Sequence, residues 1–231
     1  MLRELINQFY KDSFKERDRK YFYITDAGKC PRAVYFRFKK VPRKEPEPRV
    51  LRIFDMGDYT HMRLMSVLFS LGIVRAVEIK TPSPELVHGR ADAIIGSGDG
   101  KPIVVELKSS SGYKFDKLTE PEPDHLKQIQ LYMHYFKIPQ GILLYENKNT
   151  QELKEFIVKY DLEFAQKTIK ELEVLKEHIE KDVVPPIPKD IEDWRCRYCE
   201  YQKECQRTEK SKFKKFKEPE KLKKDSEPKL F

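Results

Sequence analysis

Four cysteines constrain this chain more than any other feature, because the sequence contains no others and their spacing is uneven. Cys30 stands alone near the start. The other three fall late, as Cys196-Arg-Tyr-Cys199 and then Cys205. Two thiols with two residues between them sit on one tight turn, which suits a shared metal better than a disulfide. A third thiol is within reach, and Cys30 is the only cysteine left to complete a set of four. If all four share one centre, it joins the N-terminal region to the C-terminal end as a clasp. Four thiolates suit either zinc or an iron–sulfur cluster.

A chain of 231 residues makes one large domain, or one domain with appendages, and can bury a real core. Charged residues reach 36%, but aromatics reach 12%, which argues against global disorder. The first residues are charged at once. No apolar run approaches the roughly 20 residues that span a bilayer. The expectation is a soluble, cytoplasmic protein without membrane contact, in a reducing compartment that favours metal binding over disulfides. The formal charge of +8 is unevenly spread: from Arg207 to Phe231 ten Lys or Arg face five Asp or Glu, a net of +5. Residues 1–207 therefore read as a single domain. Residues 208–231 read as a basic, flexible tail, either a nucleic-acid contact or a solvated end.

Periodicity predicts a helix over 2–19, and a second helix beginning after Thr25 or Asp26 and carrying Cys30, Val34, Tyr35 and Phe38. A proline-broken loop and a long helix over Val50–Leu71 follow. The texture then changes to strands over Val74–Lys80, Leu86–Ile95 and Ile103–Ser109, with a turn at Gly96–Gly100. A helix over Pro123–Phe136, strands near Gly141–Tyr145 and Leu153–Tyr160, and a helix over Glu163–Glu180 complete the pattern. Such an order implies an α/β fold: a central sheet flanked by helices.

One constellation carries chemistry. Asp92 sits on the second strand, and Glu106-Leu-Lys108 on the third. Alternation puts Glu106 and Lys108 on one face of their strand, with Val105 and Leu107 on the other. If the strands pair as a hairpin, Asp92 lies near Glu106. Two carboxylates and an ammonium then converge where magnesium or manganese can bind. Such a metal activates water and stabilises charge building on a phosphate, and Lys108 could orient the water. The run Gly96-Ser-Gly-Asp-Gly-Lys101 only superficially suggests a phosphate loop. Its spacing is wrong, and Pro102 stands where Ser or Thr is needed.

An Asp followed one hairpin later by Glu-x-Lys resembles the PD-(D/E)XK nuclease superfamily, with Ala91 standing where the family's proline precedes the Asp. His61 on the long helix resembles the helical histidine of RecB-type members. Gln128 and Tyr132, neighbours at i and i+4, resemble the Gln-x-x-x-Tyr element that follows the catalytic strand, with Gln130 the competing glutamine. One cysteine upstream and three downstream, spaced by two and five residues, resemble the iron–sulfur RecB-type nucleases. These include the AddB nuclease domain and the CRISPR-associated RecB-like exonucleases (Cas four).

That resemblance implies a restriction-endonuclease-like mixed sheet. It implies metal ligands His61, Asp92, Glu106 and the Leu107 carbonyl. It gives Lys108 the attacking water, and Gln128 and Tyr132 the orientation of the site or the DNA strand. It implies an iron–sulfur cluster on Cys30, Cys196, Cys199 and Cys205, of the 4Fe-4S rather than the 2Fe-2S type. The implied activity is Mg²⁺- or Mn²⁺-dependent exonuclease action on single-stranded DNA or single-stranded ends. CRISPR spacer acquisition is the implied setting, with the CRISPR integrase complex as a partner. The alternatives are a viral or cellular repair or recombination nuclease of the same family, and a non-catalytic, zinc-stapled DNA-binding module. Trp194 and Tyr198 are expected to shield the cluster, with base stacking as their other reading. His88, His125, His134 and His178 show no partner pattern and read as structural or surface residues.

Overall fold

A computed structural model of the chain describes residues 1–15, 19–82, 86–189 and 191–208. The first helix, α1, spans Leu2–Ser13 and stops short of the predicted residue 19. The Ser13 hydroxyl donates to the Phe9 carbonyl at 2.8 Å and competes with helical bonding; residues 16–18 lie outside those described. β1 (Phe22–Tyr23) then runs into a short 3₁₀ turn at Ile24–Asp26.

The predicted cap at Thr25 or Asp26 is not used, and α2 spans Pro31–Phe38 instead. The buried Asp26 carboxylate accepts from the Tyr23 amide at 2.9 Å and pairs with Arg19 and with Lys29, the latter at 3.4 Å. Gly28, at φ +119°, turns the chain. Pro31 takes the first helical position, where a missing N–H costs nothing. α3 (Pro48–Ser70) likewise carries proline in its first turn, and Gly72 follows its end at φ +68°.

The remaining elements are β2 (Val74–Lys80), β3 (Val87–His88), β4 (Arg90–Gly96), β5 (Pro102–Ser110), α4 (Gly112–Asp116) and α5 (Pro123–Phe136). After them come β6 (Gln140–Asn147), β7 (Leu153–Lys159), α6 (Leu162–Glu180), α7 (Asp193–Arg197) and α8 (Gln202–Thr208). The central sheet has five strands in the order β2-β4-β5-β6-β7. Its one parallel pair, β5–β6, is the pair joined through a helical crossover, α5. This is the α/β architecture with a mixed, helix-flanked sheet that the sequence implies.

β5 is the central strand and is covered on both faces. Val104 packs in the core that contains Ile129, Leu131 and Met133 of α5. Ile103, Val105 and Leu107 pack on the opposite side with Leu64 of α3. A strand buried on both faces reads as an apolar run, which makes the single acid within it, Glu106, conspicuous.

The strand predicted over Leu86–Ile95 breaks at Gly89. A Cβ there would come within 2.6 Å of Ile24 Cδ1 and 2.9 Å of Tyr132 Cε1, so only glycine fits. Before the break β3 pairs with β1, and after it β4 pairs with β2. The Gly96–Gly100 stretch is the expected hairpin turn, closed by Gly100 N–H donating to the Ser97 carbonyl at 2.8 Å. Among the described residues no helix is long and apolar enough to cross a membrane. The basic segment from 209 to 231 lies outside them.

Candidate active site and thiol cavity

The β4–β5 hairpin positions the two acids. Its register pairs Ala93 with Val105 and Ile94 with Val104, so continuing it by one residue sets Asp92 across from Glu106. An Asp92 carboxylate oxygen accepts from the Leu107 amide at 2.7 Å, which holds it against β5. His61 Nδ1 stands 3.6 Å from the same oxygen. Arg63, two residues after His61 on α3, pairs with the buried Glu146 of β6 and anchors the helix there. The structure thus gathers His61, Asp92, Glu106 and the Leu107 backbone.

Glu106 is only 3% exposed. Its Oε1 accepts from Lys108 Nζ at 2.7 Å and from Gln128 Nε2 at 2.6 Å. Lys108 Nζ also donates to Gln128 Oε1 at 3.0 Å, closing a triangle. Of the two candidate glutamines, Gln128 therefore belongs to this site. Gln130 is structural: it donates to the Lys159 carbonyl at 2.8 Å and accepts from the Asp161 amide at 2.9 Å. Tyr132 is buried, and its hydroxyl donates to the Arg90 carbonyl at 2.8 Å. It braces β4 two residues before Asp92 and has no open face for a DNA strand.

The second oxygen of Glu106, Oε2, is buried with no hydrogen-bond partner. An orphaned carboxylate oxygen in a low-dielectric site is costly. Burial pushes the Glu106 carboxyl up to about 7, and the neighbouring Asp92 charge adds to that against the opposing Lys108. Burial likewise pushes Asp92 up to about 6. Burial lowers the His61 imidazole, leaving it neutral and able to ligate. Two buried carboxylates, one with an orphaned oxygen, and a neutral imidazole form a donor set that suits a hard divalent cation. Among the described residues, no three or more His, Cys, Asp and Glu side chains stand close enough to hold a metal ion as placed.

The four cysteines are free thiols, each partly buried. All four line one cavity of about 900 Å³, bounded by α2, the start of α3 and the segment from Ile187 to Gln206. Cys30 is the N-cap of α2. Burial raises the thiols of Cys196 and Cys199, and raises that of Cys205 to about 11. Ion pairs and ring packing also hold the C-terminal segment against α2. Glu200 pairs with Arg37 and, at 2.6 Å, with Arg43, and the buried Tyr201 ring packs 5.8 Å from Phe36. Tyr198, expected to shield a cluster, stands at the cavity's edge. That residue lines the cavity but stays 80% exposed, because its short helix ends there.

Both arms of the thiol cavity converge on Asp124, in the first turn of α5. Arg195 Nη1 reaches Asp124 Oδ2 at 2.8 Å. On the other arm Gly28 packs so tightly that a Cβ would lie 2.7 Å from Asp124 Cα. One turn further along α5 is Gln128, which holds Glu106 and Lys108. Neither Asp124 nor His125 was legible as part of the site in the sequence. The neutral His125 meets the Tyr145 hydroxyl at 2.9 Å, beside Lys108 in the β5–β6 register. Burial, then Lys108, Lys114 and Arg195, depress its imidazole to about 3.

The family model of the PD-(D/E)XK nuclease superfamily matches residues 1–206. The CRISPR-associated exonuclease Cas4 of Saccharolobus solfataricus is 29% identical over 191 residues, covering 77% of this chain and 83% of that protein. The crystal structure of SSO0001 matches with a TM-score of 0.58 at 24% identity, over 87% of this chain and 94% of that one. A phage-related exonuclease from Haemophilus somnus 129PT matches with a TM-score of 0.51 at 10% identity, over 70% and 94% of the two chains.

Proposed function

The chain belongs to the PD-(D/E)XK nuclease superfamily, and from that premise we propose that it is a metal-dependent DNA exonuclease acting on single-stranded DNA or single-stranded ends. The observation that carries the reading is the buried, partnerless Oε2 of Glu106 beside Asp92. Its companion Oε1 is already committed to Lys108 and Gln128.

His61, Asp92, Glu106 and the Leu107 carbonyl would hold Mg²⁺ or Mn²⁺. That ion supplies an acidified water and a counter-charge for the phosphate. Lys108 holds and orients the attacking water through Nζ, and its cationic form favours charge building on the scissile phosphate. Gln128 fixes Lys108 and Glu106 relative to each other, so the ammonium keeps one position as the charge develops. Tyr132 keeps β4, and so Asp92, in register.

Residues 1–207 form the nuclease domain in this reading. Cys30, Cys196, Cys199 and Cys205 would hold an iron–sulfur cluster of the 4Fe-4S type, the donor set being all thiol. The cluster's role is to staple the two ends of the domain. The likeness to the CRISPR-associated exonuclease supports work in spacer acquisition, in the cytoplasm, beside the CRISPR integrase complex.

The test is a degradation assay on single-stranded DNA labelled separately at each end, with Mn²⁺ or with chelator. Progressive loss from an end, only with metal, is the expected result. Cutting confined to internal positions, or no cutting with Mn²⁺, would refute the exonuclease.

A further inference from the structure

One surface is unused by the chemistry above, and it is both aromatic and basic. β5, which carries Glu106 and Lys108, ends at Ser110, and Ser111 caps α4. The first turn of α4 presents Tyr113, which is 73% exposed. Lys117 Nζ donates to the Tyr113 hydroxyl at 2.6 Å and lies 4.1 Å from the ring centroid. The next residue, Lys114, reaches across to the cysteine segment, with its Nζ 4.9 Å from the Trp194 ring centroid. Arg195 lies 5.4 Å from the same ring, which is 39% exposed. Tyr198 follows, its amide bonded to the Trp194 carbonyl at 3.1 Å. Three exposed rings interleaved with cations thus run from the end of the catalytic strand towards the thiol cavity.

We infer that this surface is a track for single-stranded DNA, on which Tyr113 and Trp194 stack successive bases while Lys114 and Lys117 follow the phosphates. The inference rests on the nuclease reading above. Charge favours a polyanion over a protein: Lys114 meets Glu122 only at 3.9 Å, and Lys117 donates to a phenol rather than to a carboxylate. The rings favour a single strand over a duplex, because bases already stacked on each other offer no free face. Position ties the track to cleavage. α4 follows directly on β5, which puts Tyr113 five residues beyond Lys108.

The test measures anisotropy of a labelled oligothymidylate in chelator, on protein with its cysteine site loaded, and separately measures kcat and KM with Mn²⁺. Tyr113→Ala and Trp194→Ala should each weaken binding by about 5- to 100-fold, the range of one lost base stack. The loss should appear in KM with kcat unchanged. Trp194→Phe should restore affinity to within about threefold, since any ring can stack. Tyr113 does not line the thiol cavity, so its variant separates DNA contact from damage to the cluster, whose visible absorption should be unchanged. Wild-type affinity in both Ala variants, with normal cleavage, would overturn the track and leave the nuclease standing. Equal losses on blunt duplex would overturn the assignment to a single strand. No metal-dependent cleavage by the wild type would overturn the nuclease reading itself, which the binding data do not depend on.

Discussion

Replacing Glu106 with glutamine should stabilise the metal-free protein while abolishing its activity. The Glu106 carboxyl titrates near 7 in the fold, pushed up mainly by burial, against an ordinary value of 4.5. The folded state therefore binds its proton more tightly than the unfolded chain does. That advantage is complete below about pH 4.5 and is lost as pH rises through 7. Above pH 7 the fold must hold a buried charge whose second oxygen has no partner. At about 1.4 kcal/mol per tenfold change in proton affinity, the full window is worth about 3 kcal/mol. Glutamine keeps the shape and still accepts from Lys108 and Gln128, but it leaves the Lys108 ammonium without its counter-charge. A net gain of about 1–2 kcal/mol is expected at pH 8. For a chain of this length that raises the melting temperature by about 2–8 °C. Thermal unfolding of metal-free wild type and Glu106→Gln at pH 5 and pH 8 measures it. The gap should appear at pH 8 and close at pH 5, where the wild-type carboxyl is protonated. Saturating Mn²⁺ should stabilise the wild type and not the variant. A variant no more stable than wild type at pH 8, or a gap that persists at pH 5, would refute the reasoning.

Gly28→Ala should cost about 2 kcal/mol or more, because its φ of +119° is unfavourable for alanine and its Cβ would strike the Asp124 backbone; thermal unfolding reads the cost, and visible absorption reads any loss of bound metal. Tyr132→Phe removes the bond to the Arg90 carbonyl and should cost about 1 kcal/mol. It should lower kcat with KM unchanged, since the ring is buried away from DNA. Metal loading of the cysteine site should release protons and weaken as pH falls, because burial holds Cys196, Cys199 and Cys205 protonated. Calorimetry in buffers of different ionisation heat counts those protons. Deleting residues 209–231 should reduce the salt dependence of DNA binding without changing cleavage at saturating DNA.

The parts of the site legible in the sequence are those fixed by strand alternation. Glu106-x-Lys108 on an apolar strand, one hairpin after Asp92, needs only the period of two and a turn at Gly96–Gly100. His61 and Gln128 are different, because no local pattern separates them from other helix residues. Only the family's order of residues singled them out, and the hydrogen bonds then decided between Gln128 and Gln130. Asp124 and His125 were not legible. Their importance comes from what packs on them: Gly28, Arg195 and Tyr145 are distant in sequence. The strand break at Gly89 was missed for the same reason, since it follows from the approach of Ile24 and Tyr132. The first cap of α2 was misplaced because Asp26, a good cap by type, is held by Tyr23, Arg19 and Lys29.

The central claim is that Asp92 and Glu106 form a metal-dependent cleavage centre separate from the thiol cavity. Mn²⁺-dependent cleavage of single-stranded DNA by wild type, Asp92→Ala and Glu106→Ala, with visible absorption recorded on the same samples, tests it most directly. The account predicts cleavage by wild type only, with the three spectra alike. Normal cleavage by either variant would contradict it.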